Sequence, residues 1–420
     1  GRISKIIGSL LFIEALFMTW CAVMSFYFQE DDQIAFLLSL LITFGCGFLF
    51  LFMGRNADNS LSRKDAYLLV TSVWLIFSLF GIFPFMIHGS ITNFTDAYFE
   101  SISGFTTTGA TILKRVEAVP KDILFWRSMT QWIGGLAIIV FTIVILPFLS
   151  MSGMQLFVAE MNGINYDKLH PRIMHTAWRI WGIYLFFTLL ETLLLYWGDM
   201  DLYDALCHSM ATVSSGGFST RTANMGAFSN YSQVVVSIFM VLSGCNFSVL
   251  LLSLSWRSFA ILKNQEFNAF LQYILFWGVG IGLFLLFGCH QSFGSAFRDS
   301  VFSVISSLTT TGFFVSDYTS WPAFIGIILF LLMFIGSCSG STSGGIKIFR
   351  HLIFIKNSVL ELKRIIHPNA VLPVKINGKA ITTSGVYKNM TFVFVYFLFF
   401  IAGSVILLAT GTDFNTALGA

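Results

Sequence analysis

Apolar windows of about twenty residues recur along the whole chain, at 3–28, 33–53, 67–88, 126–149, 177–197, 232–255, 268–289, 322–337 and 388–409. An α-helix of that length crosses about 30 Å of hydrocarbon. Nine such windows joined by short connections predict an all-α polytopic membrane protein. Composition agrees: 11% of residues are charged and 56% are hydrophobic, where a soluble domain carries roughly a quarter charged residues. The first window is too long for a signal h-region and lacks a small-residue cleavage pattern, so it reads as a true span. The six cysteines are scattered with no CxxC pair, which indicates neither a metal centre nor a disulfide framework.

Orientation follows Lys and Arg in short loops. With the N-terminus inside, 18 of the 24 basic residues fall in cytoplasmic connections. The six outside are Lys114, Arg115, Lys121, Arg127, Arg221 and Arg298. Of the 21 acidic residues, 13 fall outside, Asp96, Glu100, Asp204 and Asp299 among them. An acidic mouth of this kind raises the local cation concentration; ordinary solvated loop charge is the plainer alternative.

Three of the outer connections repeat one another. "DAYFESISGFTTTGAT" (96–111), "DALCHSMATVSSGGFS" (204–219) and "DSVFSVISSLTTTGFF" (299–314) each carry an aspartate thirteen residues before a glycine, as Asp96–Gly109, Asp204–Gly217 and Asp299–Gly312. Each block has an apolar span on either side. The segment of about nine residues after each aspartate suits a short half-helix that dips into the membrane. A Gly/Thr loop at that depth is tolerated only where protein buries it or it lines a water-filled cavity. Loops facing one another around an axis meet that condition, and half-helices ending there aim their negative ends at the axis, which favours a cation. A fourth copy opens with "DFNTALGA", where Asp413 takes the aspartate position. Equal spacing places its loop glycine beyond Ala420, so the chain is expected to end within a fourth repeat.

A cation leaving water needs its hydration oxygens replaced, and rings of backbone carbonyls helped by hydroxyls do this. Glycine reaches the dihedrals that turn such carbonyls inward. The candidate filter residues are Thr107, Thr108, Gly109 and Ala110 in the first loop, Ser215, Gly216, Gly217 and Phe218 in the second, and Thr310, Thr311, Gly312 and Phe313 in the third. The bland alternative, tightly packed turns between helices, does not explain three copies in register.

The eighth window ends in "FIGSCSGSTSGGIKIFR" (334–350), where Gly, Ser and Thr crowd positions 337–345 and abandon helical hydrogen bonding. Inside the filter of the third repeat, Gly340, Ser341, Thr342, Ser343, Gly344 and Gly345, with Lys347 at the inner end, are candidates for a movable barrier across the pore. A plain helix terminator is the alternative. "LSGCNFS" (242–248) interrupts the matching span of the second repeat more mildly, and Asn246 either faces the cavity or bonds between helices. Glu14 and Glu191 lie inside spans and are suspects for function, or else pack against neighbouring spans.

"SGFTTTGATIL", "SSGGFSTR", "SLTTTGF" and "GSCSGSTSGGIK", together with two spans that precede the first repeat, resemble the TrkH/KtrB/HKT superfamily of potassium transporters, in its TrkH version. The resemblance covers essentially the whole chain. It implies two N-terminal spans followed by four pseudo-four-fold helix–pore-loop–helix repeats. The divisions are 1–60 for the extra spans, 61–155, 156–262 and 263–365 for three repeats, with the gating loop at 337–345 in the third, and 366–420 for the start of the fourth. It implies one filter glycine per repeat, carried by Gly109, Gly217 and Gly312, and a glycine in the first loop favours potassium. It further implies a multi-pass protein of the bacterial inner membrane, a homodimer of pore subunits, and a cytoplasmic nucleotide-binding regulatory subunit of the TrkA type. Ser-Ser-Gly in the second loop makes the four-fold symmetry approximate.

No nucleotide motif occurs in the chain, neither GxGxxG after a strand nor GxxxxGK[ST], so nucleotide sensitivity would come from the partner. No cofactor is expected beyond potassium as substrate, and no nucleic-acid partner; membrane lipid surrounds the chain. Few carboxylates lie within spans, which favours passive gated flux over proton- or sodium-coupled symport. An intramembrane hydrolase built on Ser214 or Ser215 with His208 needs an oriented base. The other repeats carry Glu100 and Ser303 where the second has His208, so no enzyme is expected.

Overall fold

The computed structural model describes residues 1–28, 33–56, 63–149, 169–254, 260–367, 369–370 and 372–419. Helices α1 (Arg2–Phe28) and α2 (Gln33–Gly54) form an antiparallel pair ahead of the repeats. They approach closely because glycines face backbone: a β-carbon on Gly8 would lie 2.7 Å from the Gly47 carbonyl oxygen, and one on Gly54 2.6 Å from the Lys5 nitrogen. Small residues at such contacts replace the hydrophobic effect as the cause of helix association in lipid.

The first repeat comprises α3 (Arg63–Phe80), α4 (Phe83–His88), the half-helix α5 (Phe94–Phe105) and α6 (Lys121–Leu149). The second comprises α7 (Leu169–Tyr196), the half-helix α8 (Leu202–Val213), and α9 (Asn230–Ser243) with α10 (Phe247–Leu254). After the short α11 (Ala260–Lys263), the third runs through α12 (Gln265–Gly288), the half-helix α13 (Phe293–Leu308) and α14 (Ala323–Ile335) into a non-helical loop and α15 (Ile348–Ile366). A two-stranded hairpin, β1 (Lys375–Ile376) and β2 (Lys379–Ala380), turns through Asn377 and Gly378 at positive φ and leads to α16 (Thr383–Ala409) and α17 (Phe414–Gly419). Among the described residues six helices are long and apolar enough to cross a membrane, and α9 with α10 make a seventh if they count as one bent span.

All three half-helices begin earlier than their aspartates. Asn93, Asp201 and Ser292 cap them, accepting from the backbone N–H of Thr95, Asp204 and Ser295. Asp96 and Asp204 therefore lie in the first turn and Asp299 well inside its helix, whereas Asp413 stands just before α17 and accepts from the Thr416 N–H.

The interruption at 244–246 is not mild. Helices α9 and α10 meet at 99°. The groups freed at the break are bonded by the loop after α14: the Cys338 N–H donates to the Gly244 carbonyl at 3.0 Å and the Phe247 N–H to the Gly340 carbonyl at 3.2 Å. Asn246 caps α10, its Oδ1 accepting from the Ser248 N–H at 2.9 Å. Two broken helices thus satisfy each other, the condition for irregular backbone at membrane depth.

One large buried cluster runs from α1 to α10 and reaches Phe302 and Ile305 of α13, with Phe105, Trp126, Tyr184 and Phe247 among its members, and a second joins α12, α13 and α14 through Phe270, Val304, Leu308 and Leu332. Large apolar side chains that remain exposed, such as Leu41, Phe48, Leu275, Phe276 and Phe399, are distributed along the long helices, as a lipid-facing surface requires.

Candidate ion-conduction site

At the end of each half-helix the backbone does the same thing three times. Thr107, Ser215 and Thr310 have φ of 55°, 56° and 53°, and Gly109, Gly217 and Gly312 have φ of 78°, 81° and 86°. Left-handed dihedrals are uncommon for threonine and serine and cluster where the surroundings force them. The N–H groups turn back onto the helix: Thr108 donates to the Ser103 carbonyl, Gly216 to Ala211 and Thr311 to Ser306, at 2.9, 2.8 and 2.9 Å. With the amides so used, carbonyls are the backbone groups left over. Those of Thr107, Thr108, Gly109, Ser215, Gly217, Thr310, Thr311 and Gly312 accept no hydrogen bond among the described residues.

The outer member of each candidate quartet behaves differently. The Ala110 carbonyl accepts from the Ser103 hydroxyl at 2.6 Å and the Phe313 carbonyl from the Ser306 hydroxyl at 2.7 Å, which turns both back to the half-helix. In the second loop, where Ala211 has no hydroxyl, the Phe218 N–H is instead held by Gln131 Oε1 at 3.1 Å.

The loops are in contact in chain order. A β-carbon on Gly109 would lie 2.1 Å from the Gly216 carbonyl oxygen, and one on Gly217 only 1.9 Å from that of Thr311. Both φ and space favour glycine at the two positions, and a side chain at either must shift the loop that faces it.

Behind the loops lies a polar frame built from one face of α6. Arg127, Gln131, Gly134 and Gly135 follow the helical period. Arg127 Nε donates to Glu100 Oε1 at 2.7 Å and its guanidinium lies 4.0 Å from the Phe218 ring centroid, with both charged side chains buried. Gln131 Nε2 donates to the Gly216 carbonyl at 2.7 Å. Glu100 also accepts from the Thr111 hydroxyl at 2.9 Å and the Ile112 N–H at 3.0 Å. In the second repeat His208 Nε2 meets the Ser219 hydroxyl at 2.9 Å, the position matching Glu100 with Thr111.

Expected among solvated outer charges, Glu100 and Arg127 are therefore an internal ion pair. Asp204 with Arg221 and Asp299 with Arg298 pair likewise, at 2.7 and 2.8 Å, and both aspartates are buried. Three of the thirteen outer carboxylates are thus neutralised by a neighbouring arginine. His208 is buried and bonds to Ser219 and the Asp204 carbonyl, while Ser214 donates to the Met210 carbonyl and Ser215 bonds to Thr342. Neither Ser214 nor Ser215 is bonded to His208. Glu14 and Glu191 are both fully buried, and Glu191 lies beside Thr212 near the end of α8.

Directly beneath the loops sits the segment after α14. The Thr342 hydroxyl meets that of Ser215 at 2.9 Å and donates to the Val213 carbonyl at 3.1 Å. The Gly344 N–H donates to the Thr310 hydroxyl at 2.6 Å. Gly340, at φ 75°, packs against the Asn246 amide, and Gly345, at φ 78°, against Gly336. Lys347 Nζ turns back into the segment, donating to the hydroxyls of Ser341 at 3.2 Å and Ser343 at 2.9 Å. The neck is closed by the Ile346 N–H on the Phe334 carbonyl and the Lys347 N–H on that of Ile335, both at 2.9 Å.

Sequence reasoning alone missed Glu100 and Arg127 as a pair, Gln131, and Glu266. A signal for the first three existed: Arg127 and Gln131 are polar residues one turn apart in an apolar helix, and such residues face the protein interior.

Long apolar helices and three half-helices with in-register loops, with a Gly/Ser/Thr segment against them, define a polytopic helical membrane protein. A family model described as "TrkH: Cation transport protein" matches residues 33–290 and 289–418, and the chain belongs to that family. The Trk system potassium uptake protein TrkH of Vibrio parahaemolyticus is 36% identical over 434 residues, which span 100% of this chain and 88% of the relative. The Trk system potassium uptake protein TrkG of Escherichia coli strain K12 is 33% identical, over 99% of this chain and 86% of the relative. The crystal structure of the potassium transporter TrkH from Vibrio parahaemolyticus superposes with a TM-score of 0.91 at 33% identity, covering 99% of this chain and 87% of that one. The family is one of transporters rather than enzymes.

Proposed function

We propose that this chain conducts potassium into the cell through a gated, filter-lined pore. The observation that carries the reading is the set of eight loop carbonyls, in three corresponding positions, that accept no hydrogen bond among the described residues. Such oxygens replace the hydration shell of an alkali cation, and no carboxylate stands among the loop residues 107–110, 215–218 and 310–313 to trap it. Potassium is the cargo by analogy with relatives named for potassium uptake. Residues 340–345 with Lys347 form the gate, since their hydroxyls and amides reach Ser215 and Thr310 from beneath.

The chain belongs, on this proposal, in the bacterial inner membrane with its N-terminus cytoplasmic, works as a homodimer, and answers to a cytoplasmic nucleotide-binding subunit of the TrkA type. The long inner segment between the gate and α16 carries Lys356, Lys363, Arg364, Lys375 and Lys379, a basic surface suited to an acidic partner face.

Reconstitution in liposomes tests the proposal, with potassium and sodium uptake compared in the presence and absence of a proton gradient. Potassium flux that follows its own gradient, with sodium admitted by Gly109→Ser, is the expected result. Uptake that requires a proton or sodium gradient would move the chain to a symporter, and no cation flux would refute both.

A further inference from the structure

Glu266 has no part in the filter and no counterpart among the acidic residues of the repeat blocks. It lies in the first turn of α12, is 5% exposed, and aims its carboxylate at the neck of the gate segment. Oε1 accepts from the Ser339 N–H at 2.6 Å on one side of the neck and from the Phe349 N–H at 3.2 Å on the other. Phe349 belongs to the first turn of α15, whose N–H groups have no intrahelical partners and whose dipole favours a carboxylate. One oxygen atom therefore caps α15 and holds the incoming strand of the gate segment at once. Helix α12 is in turn tied to the inner face, because the Gln265 N–H donates to Asn377 Oδ1 at 2.8 Å and Lys356 Nζ of α15 donates to Gln265 Oε1 at 2.7 Å.

We infer that Glu266 is a positioning residue that latches the gate segment to α12 and couples it to α15. This rests on the gate proposed above for residues 340–347. Any displacement of α15 strains the Phe349 bond, and because the same oxygen holds Ser339, the strain passes to the segment under Ser215 and Thr310. The latch thus links the basic inner surface to the pore.

Cys338 reports the latch. It is buried, immediately precedes Ser339, and its own N–H is bonded to Gly244. In a background with the exposed Cys289 replaced by serine, reaction of Cys338 with a small methanethiosulfonate reagent is measured for Glu266→Ala and Glu266→Gln. The expected result is a rate higher by on the order of tenfold in Glu266→Ala, the shift that follows loss of a charge-assisted hydrogen bond, and a rate close to the parent's in Glu266→Gln, which keeps an acceptor oxygen. Potassium flux without a partner should rise in Glu266→Ala while its ratio to sodium flux stays unchanged. Unchanged Cys338 reactivity in a monodisperse Glu266→Ala protein overturns the latch, as does equal reactivity of the alanine and glutamine variants. Absence of flux from the parent would overturn the pore reading alone, because the thiol measurement does not depend on conduction.

Discussion

Gln131 leaves the second membrane helix of the first repeat and holds the Ser215–Phe218 loop of the second by both ends of its amide, Nε2 on the Gly216 carbonyl at 2.7 Å and Oε1 on the Phe218 N–H at 3.1 Å. The first two repeats are therefore bonded to one another at this loop and not merely packed.

Replacing Gln131 by leucine leaves a buried carbonyl and a buried N–H unpaired, at about 1–3 kcal/mol each. The predicted outcome is a lower unfolding temperature in detergent together with a lower potassium-to-sodium flux ratio. Retention of both would show that the amide bonds do not shape the loop.

Arg127 and Glu100 form a buried pair, and removal of one partner strands the other charge at about 3–5 kcal/mol. Arg127→Met or Glu100→Gln alone should abolish uptake or folded yield. The double variant should recover part of the loss, since coupled residues are not additive. Yield and thermal stability of the three variants provide the check, and equal losses in all three would contradict the pairing.

Gly134 lets α6 lie against the end of the first half-helix: a β-carbon there would come within 1.9 Å of the Phe105 carbonyl oxygen. Because that neighbour is backbone, Gly134→Ala must move the helix, at about 1–3 kcal/mol or more. We expect both destabilisation and loss of selectivity. Gly182→Ala, where nothing lies within 4 Å, should leave thermal unfolding and flux unchanged.

Outside the membrane, hydrogen bonds from Thr222 hold the Glu117 carboxyl below its ordinary value of 4.5. Those bonds join the outer rims of repeats one and two, where the Val116 N–H also donates to the Thr222 hydroxyl at 3.0 Å. A depressed carboxylate adds stability that is present above its unfolded pKa and is lost as pH falls through the folded one. Amide exchange in the segment around Thr222, referenced to Glu117→Gln, should therefore accelerate only below the ordinary glutamate range. A parent and variant that behave alike at every pH would refute the link.

The class of fold was open to reading because lipid leaves backbone few choices. Apolar windows had to become helices, and helices α1, α2, α12 and α16 appear within a few residues of their windows. The repeated Asp-to-Gly spacing located the three loops, since each Gly needs a left-handed φ that glycine adopts without strain. Half-helix starts were misplaced because Asn93, Asp201 and Ser292, and not the conspicuous aspartates, supply the caps.

Other features depend on residues far apart in sequence. Gln131 and Gly216 are 85 positions apart, Ser215 and Thr342 are 127, and Glu266 and Ser339 are 73. Local pattern sets which segments are helix, loop or break, because hydrogen bonding within a segment is a local matter. Which loop carbonyls stay unpaired, which charges neutralise each other, and which oxygen holds the segment after α14 depend on polar groups finding partners across the membrane interior, and only the packed repeats decide that.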